Sequence, residues 1–142
     1  MTIIKPETRG ASMHTESNDC TVRALANTTG MAYSEAHALL SKHGRRFKRG
    51  AFFPSYYKAY LEAGLKLVGV YGTTRRARSA GNTANVTPGP GITLGRMLPR
   101  LQSGRYIVLI TGHATAVIDG KLIDLGAQRA GSHVFAVFKY GE

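Results

Sequence analysis

The sequence predicts a single α+β domain over residues 1–142, in which N-terminal helices pack on a C-terminal antiparallel sheet. A length of 142 residues fits one ordinary domain. Apolar residues in the first half recur at helical spacing and are followed by glycines, which commonly end helices. The second half carries apolar runs around an Asp-Gly pair, a strong signal for a hairpin turn. Helices followed by strands in this order are typical of α+β folds.

Three helices are predicted ahead of the sheet, over residues 19–29, 34–44 and 54–64. The first has several polar residues that can cap its start, and Gly30 is placed to end it. The third has a proline in its first turn, where the missing backbone N–H costs nothing. We expect residues 1–17 to form an irregular lead-in to these helices.

The strands are predicted from short apolar runs bounded by turn residues. RYIVLI is nearly continuous in apolar residues, as expected for a buried strand. The pair Asp119-Gly120 separates HATAVI from KLID and predicts a two-residue hairpin turn. A short helix is expected after Thr93. The predicted strands cover residues 65–70, 105–110, 113–118, 121–124 and 133–140.

Residues 72–91 differ in composition from the segments on either side. The stretch GTTRRARSAGNTANVTPGPG is polar, basic and rich in Gly, Thr and Ser. This composition predicts a long, basic, flexible loop within the domain. Loops of this length are unusual in compact domains and often carry function. Too little chain follows the segment to form another domain, so it is not a linker.

The chain is strongly basic, with 19 Lys and Arg against eight Asp and Glu and a net charge of +11. Such a field attracts nucleic acid, acidic proteins or anionic lipid, but it does not determine the fold. Basic groups followed by aromatic residues can bind nucleic acid, or they can form a solvated face beside a core. Nucleic acid is therefore one expected partner, and the oligomeric state is left open. The candidate polyanion-binding residues are Arg45, Arg46, Lys48, Arg49, Arg75, Arg76 and Arg78.

The chain has one cysteine, Cys20, which excludes an intramolecular disulfide and a Cys-rich zinc site. A lone thiol suits a reducing compartment. No apolar run has the length of a signal peptide or of a membrane span, so we expect a cytoplasmic protein without membrane contact. No His, Asp and Glu cluster has metal-ligand spacing, and neither a metal nor a cofactor is predicted.

Cys20 lies at or near the start of the first predicted helix. Free N–H groups and the helix dipole at that position favour a thiolate, the reactive form of cysteine. The alternative is a small buried residue with no chemical role, because free cysteine is often buried.

The predicted hairpin gives Cys20 a basic partner. If Ile118 pairs with Lys121, then His113 and Asp124 lie on the same face as diagonal neighbours, within reach of an imidazole–carboxylate hydrogen bond. Asp119 lies six residues from His113, roughly 20 Å along an extended strand, which is too far. A histidine oriented by a carboxylate can activate a cysteine. Alternatively, each residue is an ordinary polar group at a strand end.

Two further residues leave alternatives open. His133 begins the last predicted strand and could rival His113, but no carboxylate lies within a few residues of it in sequence. Arg23 follows Cys20 by about one helical turn, where it could either steady a carboxylate or be solvated.

Two blocks, SNDCTVRALA and GHATAVIDGKLID, resemble the papain-like cysteine peptidase superfamily, in particular its small bacterial and phage-encoded members. The resemblance spans residues 18–124 and implies a papain-like fold. It implies Cys20 as nucleophile, His113 as general base and Asp124 as the residue that orients the histidine. It also implies a bacterial cytoplasm, or a host cytoplasm for a phage-encoded chain.

The resemblance leaves the oxyanion donors partly open. Backbone N–H groups at the start of the Cys20 helix are expected to form one side of an oxyanion hole. Papain has a glutamine six residues before its cysteine, and this chain has His14 there. Asn18 is the alternative donor.

The expected function is a papain-like cysteine hydrolase that acts on a protein or peptide substrate through a Cys-His-Asp triad. It would cleave an amide, isopeptide or thioester bond through an acyl-enzyme. The alternative is a catalytically idle fold of the same kind that acts as a basic binding protein for nucleic acid or for an acidic host protein.

Overall fold

The computed structural model describes residues 3–4, 19–45, 53–124 and 128–141, and within these it confirms the predicted α+β class. Helices pack on an antiparallel sheet, as expected, although one strand lies between the third and fourth helices. None of the helices in these residues has the length and apolar character needed to cross a bilayer. The helices are α1 (Cys20–Thr29), α2 (Tyr33–Lys42), α3 (Phe53–Glu62), α4 (Arg75–Ala84) and α5 (Leu94–Met97), the last continued by a 3-10 helix over Leu98–Leu101.

The described strands form one sheet whose order is β1-β6-β5-β4-β7-β2, with β3 beside the start of β7. Strands β2 to β7 pair antiparallel, and β1 pairs parallel to β6. The predicted strand positions are confirmed to within a residue. The strands are β1 (Ile3–Ile4), β2 (Leu65–Val70), β3 (Ile92–Thr93), β4 (Arg105–Ile110), β5 (His113–Ile118), β6 (Lys121–Ile123) and β7 (His133–Tyr140).

The β5–β6 hairpin has the predicted register. Asp119 and Gly120 have φ of 51° and 78°, so both turn residues are left-handed, as a type I′ turn requires. Ile118 pairs with Lys121 and Ala116 with Ile123. The expected pairing of His113 with Gly126 lies outside the described residues.

Helix α1 is fixed to the rest of the domain at both ends. Near its start, the Tyr60 hydroxyl donates to the backbone oxygen of Thr21 at 2.9 Å, and near its end Thr28 donates to the backbone oxygen of Tyr106 at 3.2 Å. Between them, Val22 and Leu25 are fully buried in the core between the helices and the sheet. Each hydrogen bond is buried, where leaving a polar group unpaired is costly. The position of Cys20 is thus set by contacts on two sides of the core.

The prediction of a flexible loop over residues 72–91 is wrong over ten residues, which form α4. The Thr74 side chain caps this helix by accepting from the backbone N–H of Ala77 at 3.2 Å. Ala77, Ala80 and Gly81 are buried, and small side chains let the helix approach the core closely. A Cβ at Gly81 would lie 2.6 Å from the backbone oxygen of Val86, so glycine is required where the chain folds back. Tertiary packing therefore overrides the loop-like composition.

The prediction of an irregular lead-in over residues 1–17 is wrong at Ile3–Ile4. These residues pair with Leu122 and Ile123 of β6 as a parallel edge strand. Two residues are too short for a periodic pattern, so the sequence carried no signal for the strand.

Candidate active site

The structure brings together the three residues predicted to form the triad. His113 Nε2 lies 2.6 Å from Asp124 Oδ2, a short hydrogen bond typical of a charged pair. The Cys20 thiol lies close enough to the His113 imidazole for each group to shift the pKa of the other. The imidazole therefore has the carboxylate as its hydrogen-bond partner and the thiol as a neighbour.

Each of the three side chains lies at the boundary of an element. Cys20 is the first residue of α1, His113 is the first residue of β5, and Asp124 directly follows β6. The tight turn of the β5–β6 hairpin sets the distance between the last two, while the docking of α1 brings the thiol to them. Asp124 is 4% exposed and His113 22% exposed, so the pair is largely shielded from water.

The environment of Cys20 favours the thiolate. Burial raises the pKa of the thiol, but it is outweighed by a hydrogen bond with His113, a hydrogen bond with the Ala114 backbone and the positive charges of His113 and Arg23. The net result is a pKa below the ordinary value of 9.0. Thiolate is the nucleophilic form of cysteine.

The environment of His113 favours the imidazolium. Burial lowers its pKa, but hydrogen bonds to Asp124 and Cys20, together with their negative charges, raise it to about 9. The lowered pKa of Cys20 and the raised pKa of His113 both act in the direction of a thiolate–imidazolium pair, the form in which a cysteine nucleophile is activated.

A second layer of charged groups surrounds the three residues. Arg23 Nε donates to Asp19 Oδ1 at 2.9 Å, and Arg23 Nη1 donates to Asp124 Oδ1 at 3.3 Å. The Tyr33 hydroxyl donates to Asp19 Oδ2 at 2.6 Å. Arg23 therefore steadies carboxylates rather than being solvated. The i, i+4 spacing of Asp19 and Arg23 signals their pairing in the sequence, whereas no sequence signal points to Tyr33.

The start of α1 fits an oxyanion site. The first N–H groups of any helix lack acceptors within the helix. Asp19 is the N-cap residue, but its side chain makes no hydrogen bond to the N–H groups of α1. The two expected side-chain donors, His14 and Asn18, lie outside the described residues.

The predicted polyanion-binding residues fall into three groups. Arg75, Arg76 and Arg78 are exposed in the first turn of α4. Arg45, which follows α2, is 4% exposed, and this burial does not favour contact with a polyanion. The remaining three, Arg46, Lys48 and Arg49, lie outside the described residues.

In the described part of the chain, no group of three or more His, Cys, Asp or Glu side chains could hold a metal ion. The chain matches no protein-family model, no curated protein and no solved structure.

Proposed function

We propose that this protein is a papain-like cysteine hydrolase in which Cys20 is the nucleophile, His113 the acid–base residue and Asp124 the residue that orients it. The observation that carries the proposal is the 2.6 Å hydrogen bond between His113 and Asp124, together with the Cys20 thiol beside the same imidazole. The pKa shifts of Cys20 and His113 support it, because perturbed pKa values cluster at functional sites.

The geometry supports a two-step acyl transfer. The Cys20 thiolate attacks a carbonyl carbon, and the N–H groups at the start of α1 stabilise the oxyanion that forms. The His113 imidazolium gives its proton to the leaving nitrogen as the C–N bond breaks, which leaves a thioester on Cys20. Neutral His113 then takes a proton from water, and the resulting hydroxide attacks the thioester. The C–S bond breaks, the acid product leaves, and the ion pair is restored.

The substrate we propose is a protein or peptide with an amide, isopeptide or thioester bond. Throughout the cycle Asp124 stays ionised, holds the ring in one tautomer and stabilises the imidazolium. The Arg23 contact to its second oxygen supports that charge state.

The proposal is tested with two small probes that require no knowledge of the substrate. Because Cys20 is the sole cysteine, iodoacetamide labelling of a thiol reports this residue alone. The wild-type protein should label faster than a free thiol at neutral pH and should turn over 4-nitrophenyl acetate. Cys20→Ala should abolish labelling and reduce ester turnover to the level of surface lysines. Labelling with the pH midpoint of an ordinary cysteine would contradict the proposal.

A second candidate function is favoured by the exposed arginines of α4. Arg75, Arg76 and Arg78 make no ion pair with any residue in the described ranges, although they lie where the helix dipole disfavours cations. A basic binding protein for nucleic acid would use this surface through phosphate contacts.

This second function predicts binding to single-stranded DNA that weakens steeply between about 50 mM and 200 mM salt. The triple variant Arg75→Gln, Arg76→Gln, Arg78→Gln should weaken binding, whereas Cys20→Ala should not. A charge-matched control replaces three exposed cations elsewhere, Arg96, Arg100 and Lys121, with glutamine. Equal loss in the two triple variants would show that only net charge matters and would eliminate a specific surface on α4.

A further inference from the structure

We propose that Arg23 is a positioning residue that joins Asp19, next to the nucleophile, to Asp124, which orients His113. This inference rests on the proposed hydrolase function and deepens it. Two nitrogens of one guanidinium group donate to two different carboxylates, at 2.9 Å and 3.3 Å. A rigid planar fork suits this double contact, which a single ammonium cannot reproduce.

The contact joins parts of the chain that are far apart in sequence. Arg23 and Asp124 are 101 residues apart, and Arg23 lies on α1 whereas Asp124 follows β6. The side chains of Arg23, Asp19 and Asp124 are 15%, 1% and 4% exposed. Salt and water screen pairs at this depth much less than pairs at the surface. Removing Arg23 would take one charged partner from each of two buried carboxylates, which is costly.

On the Asp19 side, both carboxylate oxygens are engaged. Oδ1 accepts from Arg23 and Oδ2 accepts from the Tyr33 hydroxyl at 2.6 Å. These contacts hold the carboxylate away from the N–H groups of α1, where an aspartate N-cap would otherwise bind. Arg23 and Tyr33 thereby keep the Asp19 carboxylate from occupying the site where we propose that the oxyanion binds.

On the Asp124 side, Oδ2 contacts His113 and Oδ1 accepts from Arg23. Engaging both oxygens fixes the plane of the carboxylate and, through it, the orientation of the imidazole. Arg23 also adds a positive charge that lowers the pKa of Cys20, alongside burial, which raises it, and the larger contributions of His113 and Ala114.

The groups around the thiol divide by charge. On the positive side are Arg23 and His113, and on the negative side Asp19 and Asp124. The hydroxyls of Tyr56 and Tyr60 on α3 stay neutral, because burial and the nearby Cys20 charge raise the pKa of each. Within the described ranges, removing Arg23 therefore leaves His113 as the cation beside the two carboxylates and the thiol. The thiolate should then form only at higher pH.

Two substitutions of Arg23 separate position from charge. Arg23→Lys keeps the charge but loses the fork, so kcat for 4-nitrophenyl acetate should fall about 10- to 100-fold, as expected when catalytic groups are misplaced by about 1 Å. Its pH midpoint for iodoacetamide labelling should stay near that of the wild type. Arg23→Gln should show both the lower kcat and a midpoint moved to higher pH.

Arg105→Gln is the matched control, because Arg105 Nη1 donates to the backbone oxygen of Thr28 at the other end of α1 at 3.3 Å. It should change neither kcat nor the labelling midpoint. Tyr33→Phe removes one contact to Asp19 without touching a charge, and it should lower kcat less than Arg23→Lys does. This variant serves as the test if Arg23→Gln does not fold.

The outcomes separate the two proposals. Wild-type kcat in both Arg23→Lys and Tyr33→Phe would overturn the positioning role and leave the hydrolase intact. A wild-type protein that labels with an ordinary midpoint and shows no turnover would overturn the hydrolase, and the positioning role with it. If Arg23→Gln and Arg105→Gln had equal effects on kcat and on the labelling midpoint, the positioning role would be overturned. Arg23 would then only help to hold α1 in place.

Discussion

Two strands of the sheet begin with a histidine at the same end, yet their surroundings differ. Ile110 at the end of β4 pairs with His113 on one side and with Val134, the residue after His133, on the other. His113 hydrogen-bonds to Asp124 and lies beside Cys20. The Nε2 atom of His133 is buried with no hydrogen-bond partner among the described residues.

The His133 ring packs against two glycines instead of a carboxylate. A Cβ at Gly72 would lie 2.6 Å from His133 Nε2, and one at Gly91 would lie 3.5 Å from His133 Cε1. Position at a strand start is thus shared by a proposed catalytic residue and a packing residue. The difference is the neighbouring strand: Asp124, directly after β6, brings a carboxylate to His113, whereas β3 brings Thr93 to His133.

The largest expected effect is on the rate of ester turnover, which should distinguish His113 from His133. In His113→Gln, turnover of 4-nitrophenyl acetate should fall by about 10²- to 10⁴-fold, the usual contribution of a general acid–base. The labelling midpoint of Cys20 should rise, because the hydrogen bond and charge that lower its pKa are lost. His133→Gln should leave both quantities near their wild-type values. A comparable loss in the two variants would remove the distinction between the strand starts.

Replacing the Asp124 carboxylate should leave His113 without a carboxylate partner, as His133 is in the described residues. In Asp124→Asn, the pKa of His113 should drop from about 9 towards its ordinary 6.5, because the hydrogen bond and charge that raise it against burial are lost. Deacylation of the ester probe needs neutral His113 as the base, and this form would then exist at lower pH. The acid limit of ester turnover should move down, with a rate loss of about 10-fold or more because the ring is no longer oriented. A pH–rate profile measures both, and an unmoved acid limit would contradict the role of Asp124.

The glycines near the two histidines should differ in their tolerance of a side chain. Gly72 and Gly112 both have left-handed backbone, with φ of 87° and 74°. Gly112→Ala places its Cβ with no described atom within 4 Å, so only backbone strain of about 1 kcal/mol is expected. Gly72→Ala adds a collision with the His133 ring and should cost roughly 3 kcal/mol. Urea denaturation compares them, and equal losses would show that the ring yields easily.

The smallest effect would come from giving His133 a carboxylate. Thr93 faces His133 across the β3–β7 ladder and is the N-cap of α5, a position where aspartate is also favoured. Thr93→Asp should create an imidazole–carboxylate hydrogen bond, seen by NMR as a new protected ring N–H signal. Ester turnover should not change, because the thiol faces the other histidine. A gain in turnover would show that a carboxylate beside His133 is enough to make it catalytic, and the distinction between the two histidines would then fail.

The parts of the site that were predictable depend on local signals. The extent of α1 was predictable from the polar residues before it and from Gly30 after it, and the pairing of His113 with Asp124 follows from counting residues back from a two-residue turn. The type of turn sets the register of the hairpin. The Asp119-Gly120 pair was therefore enough to predict the contact between His113 and Asp124, which are 11 residues apart.

The parts that were missed depend on tertiary packing. Helix α4 has a composition typical of loops, and it forms because Ala77, Ala80 and Gly81 fit the core. The hydrogen bond from Tyr33 to Asp19 joins α1 to α2 and requires their packing to be known. The burial of Arg45 likewise arises from how the end of α2 docks, which charge patterns do not reveal.

The wide sequence separation between Arg23 and Asp124 has a consequence for the synthesis of the protein. A nascent chain that has emerged only as far as β5 carries the thiol and the imidazole but lacks the carboxylate that joins them to α1. The proposed triad therefore cannot be complete until β6 and Asp124 have been synthesised, because Asp124 contacts both His113 and Arg23.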